Sequence, residues 1–205
     1  MPALMVKPVL DRTIRDRFCD GLERTLPVSE ITVHGTGGMG TLAWLRSIDP
    51  NSGNVAERQR AKAMARGVFL FHDLIERSGR LVNLIDPRRW TYHGAVGHLD
   101  SGTIGIELEN CLPDNRGPYE PAQYATLVAR LCDYWTFYFP ETLRTIRSHR
   151  LTSWNARRMA GLAPKPCPGP LFDWPLFKER LGEFFTFDEG VAFDHLKNVK
   201  LRNSL

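Results

Sequence analysis

An α/β fold is the class this sequence predicts: a single domain with a central mixed β-sheet flanked by helices. Three observations point there. Short hydrophobic strand-like runs (Ile31 to His34, Ile104 to Glu109, Thr145 to His149) alternate with stretches of helical periodicity. At 205 residues the chain is long enough for one domain with a sizeable core. Its content of 42% hydrophobic and 24% charged residues is that of an ordinary globular protein.

Taken in order, Asp11 to Thr25 reads as a helix because Ile14, Phe18 and Leu22 recur on one face. With Leu26 to Glu30 as a linker, residues 1–30 are expected to precede the main domain, residues 31–185. Ile31 to His34 reads as a strand, followed by a flexible turn holding Gly35, Gly37, Gly38 and Gly40 and a short helix from Thr41 to Ser47. Asp49 to Asn54 reads as a loop and Ala56 to Arg66 as a polar, strongly basic helix. Phe69 to Glu76 and Leu81 to Ile85 form a hairpin pattern around Ser78-Gly79. A loop holding Trp90, Tyr92 and His93 leads to the strand Ile104 to Glu109, and Pro113 to Pro118 is rich in turn residues. Pro121 suits the first turn of the longest helix, which runs to about Tyr138. A strand near Thr145 to His149 and an irregular stretch to Pro170 precede a last helix starting near Asp173. Residues 186–205 are expected to be a loosely attached tail.

The formal net charge is +4, from 27 Lys and Arg against 23 Asp and Glu. That excess favours anionic partners without choosing among them, and the basic residues form no long block of the kind that marks a nucleic-acid arm. No nucleic-acid partner is expected. No run approaches a membrane span, and the first ten residues lack the apolar core of a secretory signal, so synthesis and first residence in the cytoplasm are expected. Cys19, Cys111, Cys132 and Cys167 show no paired spacing and read as reduced, the first three as small buried hydrophobes.

The candidate chemistry lies at strand ends and in one proline-rich loop. Strand alternation puts Glu107 and Glu109 on one face, with Gly105 leaving space beside Glu107, and Ile104, Ile106 and Leu108 on the other. His34 ends one strand and His149 another. Cys167 lies between Pro166 and Pro168, in a segment that can be neither helix interior nor central strand, and Lys165 beside it favours thiolate character. Each residue also has an ordinary structural reading: a solvated strand glutamate, a hydrogen-bonded histidine, a buried free thiol. Together, two imidazoles, a thiolate, a carboxylate and a lysine can hold a catalytic zinc ion with an open position and supply a base for its water.

In order, the chain carries His34 at a strand end, Phe71-His72-Asp73-Leu74-Ile75-Glu76-Arg77-Ser78-Gly79, Tyr92-His93-Gly94, Ile104-Gly105-Ile106-Glu107, Ser148-His149-Arg150 and Lys165-Pro166-Cys167-Pro168-Gly169-Pro170. Over roughly Ile31 to Phe177 this resembles the zinc-dependent N-acetylmuramoyl-L-alanine amidases of the peptidoglycan-recognition superfamily, which include phage endolysins and a cytoplasmic wall-recycling amidase. The resemblance implies one zinc per chain, with the site at strand ends and His34, His149 and Cys167 as its ligands. It further implies Glu107 as catalytic base, Lys165 as the cation beside the oxyanion, and peptidoglycan or muropeptides as substrate. Thr36, Trp90 and His93, with Trp44 and Tyr92, are candidates to line the substrate groove. The chain departs from the phage pattern in carrying Phe71 where tyrosine is common, and its segment 49–66 is longer than usual. Family analogy alone adds two other classes, a peptidoglycan-binding module without zinc and a regulator that binds RNA polymerase. A monomer is expected.

Overall fold

The structure is a computed structural model that describes residues 8–68, 70–94, 97–152 and 167–188. The strands are β1 (Val9–Leu10), β2 (Leu22–Glu23), β3 (Glu30–Gly35), β4 (Asp73–Ile75), β5 (Leu81–Asn83), β6 (Arg89–Trp90), β7 (Thr103–Leu108), β8 (Thr145–Ser148) and β9 (Thr186–Asp188). The helices are α1 (Arg12–Arg17), α2 (Thr41–Ser47), α3 (Val55–Met64), α4 (Pro121–Asp133), α5 (His149–Thr152) and α6 (Trp174–Leu181). Seven strands form one sheet in the order β1-β5-β4-β7-β3-β8-β9, and β2 and β6 form a separate pair. Within the sheet β4 and β5 pair antiparallel and every other neighbour pair is parallel, so the sheet is mixed as predicted.

The two faces of the sheet differ. Ile31 and Val33 of β3, Ile104, Ile106 and Leu108 of β7, and Ile146 of β8 pack on one side with Leu127 and Leu131 of α4 and Phe177 and Leu181 of α6. Leu74 of β4 and Val82 of β5 face the other side, into a smaller core with Ile14, Leu42, Leu45, Ala61 and Met64 from α1, α2 and α3. At about 25 cal/mol per Å², burial of such branched side chains stabilises by roughly 1.5–3 kcal/mol each. The rest of that second face, on β7, β3 and β8, carries Thr32, His34, Thr103, Gly105, Glu107 and Arg147, and the site is built there.

The hairpin, the helices from Thr41 and Pro121 and the strand at Thr145 form where predicted. Asp173 accepts from Leu176 N to cap α6, and Gln123 Oε1 accepts from Glu120 N at the start of α4. The helix predicted over Asp11 to Thr25 is cut to Arg12–Arg17. Gly21 is the reason: its φ is 93°, and a Cβ there would stand 2.6 Å from Arg89 Cβ, so the chain turns where β2 meets β6. Leu22, counted by period as part of a helix face, belongs to that small ribbon. Both edge strands, β1 and β9, come from segments expected to lie outside the main domain. The tail beyond Asp188 lies outside the described residues. Cys19, Cys111 and Cys132 are free but only half-buried, not core residues as expected. Among the described residues no helix is long and apolar enough to cross a membrane.

Candidate metal centre

Parallel register gathers residues from distant parts of the sequence. In the β3–β7 ladder His34 lies opposite Glu107, and in the β3–β8 ladder Val33 lies opposite Ser148, so His149 follows at the level of His34. All three sit at the carboxyl ends of parallel strands, where α/β sheets place ligands. Strand alternation carries Val33 and Ile106 into the apolar core and turns His34 and Glu107 to the opposite face.

Cys167 reaches the same point from a loop. The ligand atoms of His34, His149 and Cys167 lie within 4.8 Å of one another, and all three side chains are buried. The two imidazole centroids are 4.2 Å apart. Gly35 N donates to Cys167 Sγ at 3.2 Å, and Arg150 N donates to Cys167 O at 3.0 Å. Tyr119 Oη donates to Pro168 O at 2.5 Å, and Asn115 Oδ1 accepts from Gly37 N at 2.6 Å. Asn115 has a φ of 57°, and Gly169, at 122°, packs so closely on it that any Cβ would overlap. The loop from Asn110 to Tyr119 is therefore a brace that holds the cysteine loop against the end of β3.

Glu107 Oε1 is 3.7 Å from His34 Nδ1, and its side chain is 17% exposed, open enough to meet a water or substrate. Behind His34, His93 Nδ1 is 3.1 Å from His34 Nε2, and His93 Nε2 is 2.8 Å from Thr103 Oγ1. Thr103 Oγ1 in turn donates to Asp100 O at 3.1 Å. Gly105 does leave space, and the His93 ring fills it: a Cβ on Gly105 would stand 2.5 Å from His93 Cγ. Burial, with His72 beside it, pushes the His93 pKa well below the usual histidine value. His72 accepts from Gly105 N at Nδ1 and meets Arg89 O at Nε2; burial and then the Arg24 charge depress its pKa to about 3. Burial, with the nearby Cys167 and Glu107 charges adding to it, raises the Tyr119 pKa.

The remaining predicted residues are placed differently. Trp90 is buried, its indole N–H donating to Glu23 O, so it packs the β2–β6 ribbon and presents no open surface. His93 is 9% exposed and engaged at both ring nitrogens, an internal residue where a groove residue was expected. Thr36 is half-buried and accepts from Asn110 N at 3.1 Å, tying the glycine loop to the end of β7. Phe71 is buried in the smaller core. Trp44 is 42% exposed with the Arg60 guanidinium over its ring. Lys165 lies outside the described residues. Sequence reading missed Asn115, Tyr119 and Thr103. The first two sit in and beside a segment whose Pro-Asp-Asn composition signals only a turn, and Thr103 reads as an ordinary β-branched strand residue.

Two imidazoles and a thiolate suit zinc, and tetrahedral bonds of about 2.0–2.3 Å would set ligand atoms roughly 3.3–3.8 Å apart. The buried cluster, with all its ligand atoms within 4.8 Å of one another, brings together the three side chains such a site needs.

The family model for N-acetylmuramoyl-L-alanine amidase matches residues 24–170. Among solved structures, a selenomethionine derivative of AmpD resembles the chain with a TM-score of 0.55 at 22% identity, covering 91% of this chain and 98% of that one. The endolysin amidase LysCS from Clostridium intestinale URNW gives 0.53 at 17% identity, covering 88% and 98%. The Ph2119 endolysin from the Thermus scotoductus MAT2119 bacteriophage Ph2119 gives 0.53 at 18% identity, covering 85% and 98%. At such identities the likeness is one of fold. No curated protein matches the chain. Because the family match spans well over half the chain and takes in His34, Glu107, His149 and Cys167, this chain belongs to the N-acetylmuramoyl-L-alanine amidase family.

Proposed function

We propose that the chain is a zinc-dependent amidase that cuts the bond between the lactyl group of N-acetylmuramic acid and L-alanine, acting on the cell wall after release, as an endolysin does. The observation that carries this is the buried His34, His149 and Cys167 cluster beside Glu107, within the segment that matches the amidase family. His34, His149 and Cys167 would hold the metal. Zinc, when bound, would polarise the scissile carbonyl and make water a nucleophile at neutral pH. Glu107 accepts the proton of the attacking water and returns it to the leaving amine, so the proton count closes on one carboxylate. Lys165, two residues before Cys167 in sequence, is the cation that meets the oxyanion as it forms. Thr36, just after His34, is the candidate contact for substrate.

Elemental analysis should find about one zinc per chain, and Cys167→Ala should lose most of it; full retention would overturn the ligand set. Lys165→Met should keep zinc and KM while kcat falls; loss of zinc or a pure rise in KM would remove its catalytic role. Mass spectrometry of digests of intact sacculi and of soluble muropeptides tests bond and role together. Release of L-alanine-terminated stem peptides from sacculi is the expected result. Cleavage of soluble fragments alone would replace the lytic role with a recycling one, and cleavage of neither would overturn the activity.

A further inference from the structure

We infer that the outer face of α3, with Trp44 of α2 beside it, is a docking surface for the acidic wall polymer, separate from the metal centre. Its cations meet the free carboxylates of the stem peptides. This rests on the reading of the chain as a wall amidase. Residues 55–66 hold four cations, Arg58, Arg60, Lys62 and Arg66, against one acid, Glu57, so this segment carries +3 of the chain's net +4. The fold turns that charge outward. Ala61 and Met64 are buried in the smaller core with Leu42 and Leu45 of α2, which fixes one face of α3. Asn54 caps the helix, its side chain accepting from Ala56 N and Glu57 N. Glu57 is engaged by the preceding loop, where Asp49 N donates to its Oε1 at 2.9 Å, and Arg58 donates to Ser52 O in the same loop. Arg60, Lys62 and Arg66 are left exposed, and among the described residues none of the three forms an ion pair.

The surface is placed to act with the site. α2 begins at Gly40, whose N–H donates at 2.6 Å to the Oε1 of Glu109, two residues beyond Glu107. Trp44 stands one helical turn from Gly40, its N–H donating to Gly40 O at 2.8 Å. Its indole is exposed, and the Arg60 guanidinium lies 5.3 Å from the ring centroid. That stack joins α3 to the rim from which Glu107 projects. A guanidinium suits a carboxylate because it offers two parallel N–H donors, and a lysine adds a point charge. The wall polymer repeats its carboxylates from one stem peptide to the next, whereas a soluble fragment carries only its own. Contacts spread along α3, about 15 Å long, therefore act together on the polymer alone. They raise the effective concentration of substrate at the site without touching the scissile bond. Of the anions a cationic face accepts, the wall polymer is the one the adjoining site also acts on.

The test is co-sedimentation of the full chain carrying Glu107→Gln, which leaves the wall uncut, with sacculi stripped of attached polymers. Binding should weaken as salt rises from about 0.1 to 1 M, over which the screening length falls from about 10 to about 3 Å. Arg60→Glu, Lys62→Glu and Arg66→Glu together should weaken binding about 10-fold or more. Glutamine at the same three positions should give a smaller loss. Amidation of the sacculus carboxylates should weaken binding of the parent protein as the charge reversal does. With Glu107 restored, the reversed variant should cut sacculi more slowly but keep its Tm and cleave soluble muropeptides at close to the wild-type rate. Parent-level binding by the reversed variant, an equal loss of activity on soluble muropeptides, or tighter retention on DNA or anionic vesicles than on sacculi would overturn the inference. Failure of the amidase reading is a separate result: neither substrate would then be cut, while sedimentation still reports the docking.

Discussion

Gly105→Ala adds one methyl group at the most constrained point of the site. The new Cβ would lie 2.5 Å from His93 Cγ, 2.7 Å from Nδ1 and 3.0 Å from Cβ. Carbon contacts settle at about 3.5–4.0 Å, so the ring has to retreat by about 1 Å. The strand cannot yield instead, because Thr32 of β3 lies opposite Gly105 in a parallel ladder and His72 holds its amide and carbonyl. The ring is itself tethered to Thr103 and His34. Its bond to His34, at 3.1 Å, is near the upper limit of about 3.2 Å, so a shift of that size breaks it. Overpacking of this kind costs about 1–3 kcal/mol, which in a domain of this length lowers Tm by roughly 2–12 °C and leaves the protein folded. Loss of the His34 partner should weaken zinc about 10–100-fold. Thermal melts of the metal-free protein and zinc titration against a chromophoric chelator read the two effects separately. Wild-type values in both would show that the space beside Gly105 is not filled as described.

Glu107→Gln should keep fold and zinc and lose about 10²–10⁴-fold in kcat, since it removes the base but preserves shape. Glu109→Gln should be far milder, because Glu109 accepts from Gly40 N at 2.6 Å and an amide oxygen can still do so; equal losses in the two variants would refute the assignment of the base. Arg130→Leu should cost about 3–5 kcal/mol in urea unfolding, because it strands the buried Asp73 carboxylate, whose Oδ2 accepts from Arg130 Nε at 2.7 Å; a cost under about 1 kcal/mol would mean that Tyr134 and Asn83 suffice to hold it. Unfolding free energy should fall as pH drops from about 6.5 towards 3, since the unfolded chain protonates His72 while the folded chain keeps it neutral down to about 3. The slope is up to about 1.4 kcal/mol per pH unit for that histidine. His72→Gln should flatten the slope, and an unchanged profile would refute the cause.

The strands and most helices were legible because their signals are local. The run Ile104 to Glu109 alternates in one register only, with isoleucines and Leu108 on the core side, and Pro121 and Asp173 mark helix starts by their own chemistry. Three metal-compatible side chains could be named for the same reason, since strand ends and a proline-bound thiol are visible in one dimension. Partnership was not legible. Trp90 and His93 read as groove residues because an aromatic in a loop gives no sign of what covers it, and tertiary contacts with Glu23, His34 and Thr103 decide that they are internal. The helix from Asp11 stops at Arg17 and does not resume, because the chain turns at Gly21, where it meets Arg89, 68 positions away.

The division of the sheet's second face explains why polar groups with no core of their own can sit there. On β4 and β5 that face is covered by apolar helices, whereas on β7 and β3 it is covered by Arg24, His72 and His93. Arg24 donates to Pro87 O at 2.9 and 3.0 Å and to Thr103 O at 3.1 Å, and burial lowers its pKa to about 10. Each of these bonds contributes little net free energy, yet removing any one partner would leave a buried group unsatisfied at about 1–3 kcal/mol. Such a network adds little to stability but tolerates few alternative arrangements, because its buried donors and acceptors must be satisfied together. The stabilising free energy comes instead from the opposite face, where Ile31, Val33, Ile104 and Ile106 are fully buried against α4 and α6. Alternation along β3 and β7 therefore joins the two tasks residue by residue: each branched side chain that anchors the strand from one face fixes the neighbouring histidine or glutamate on the other.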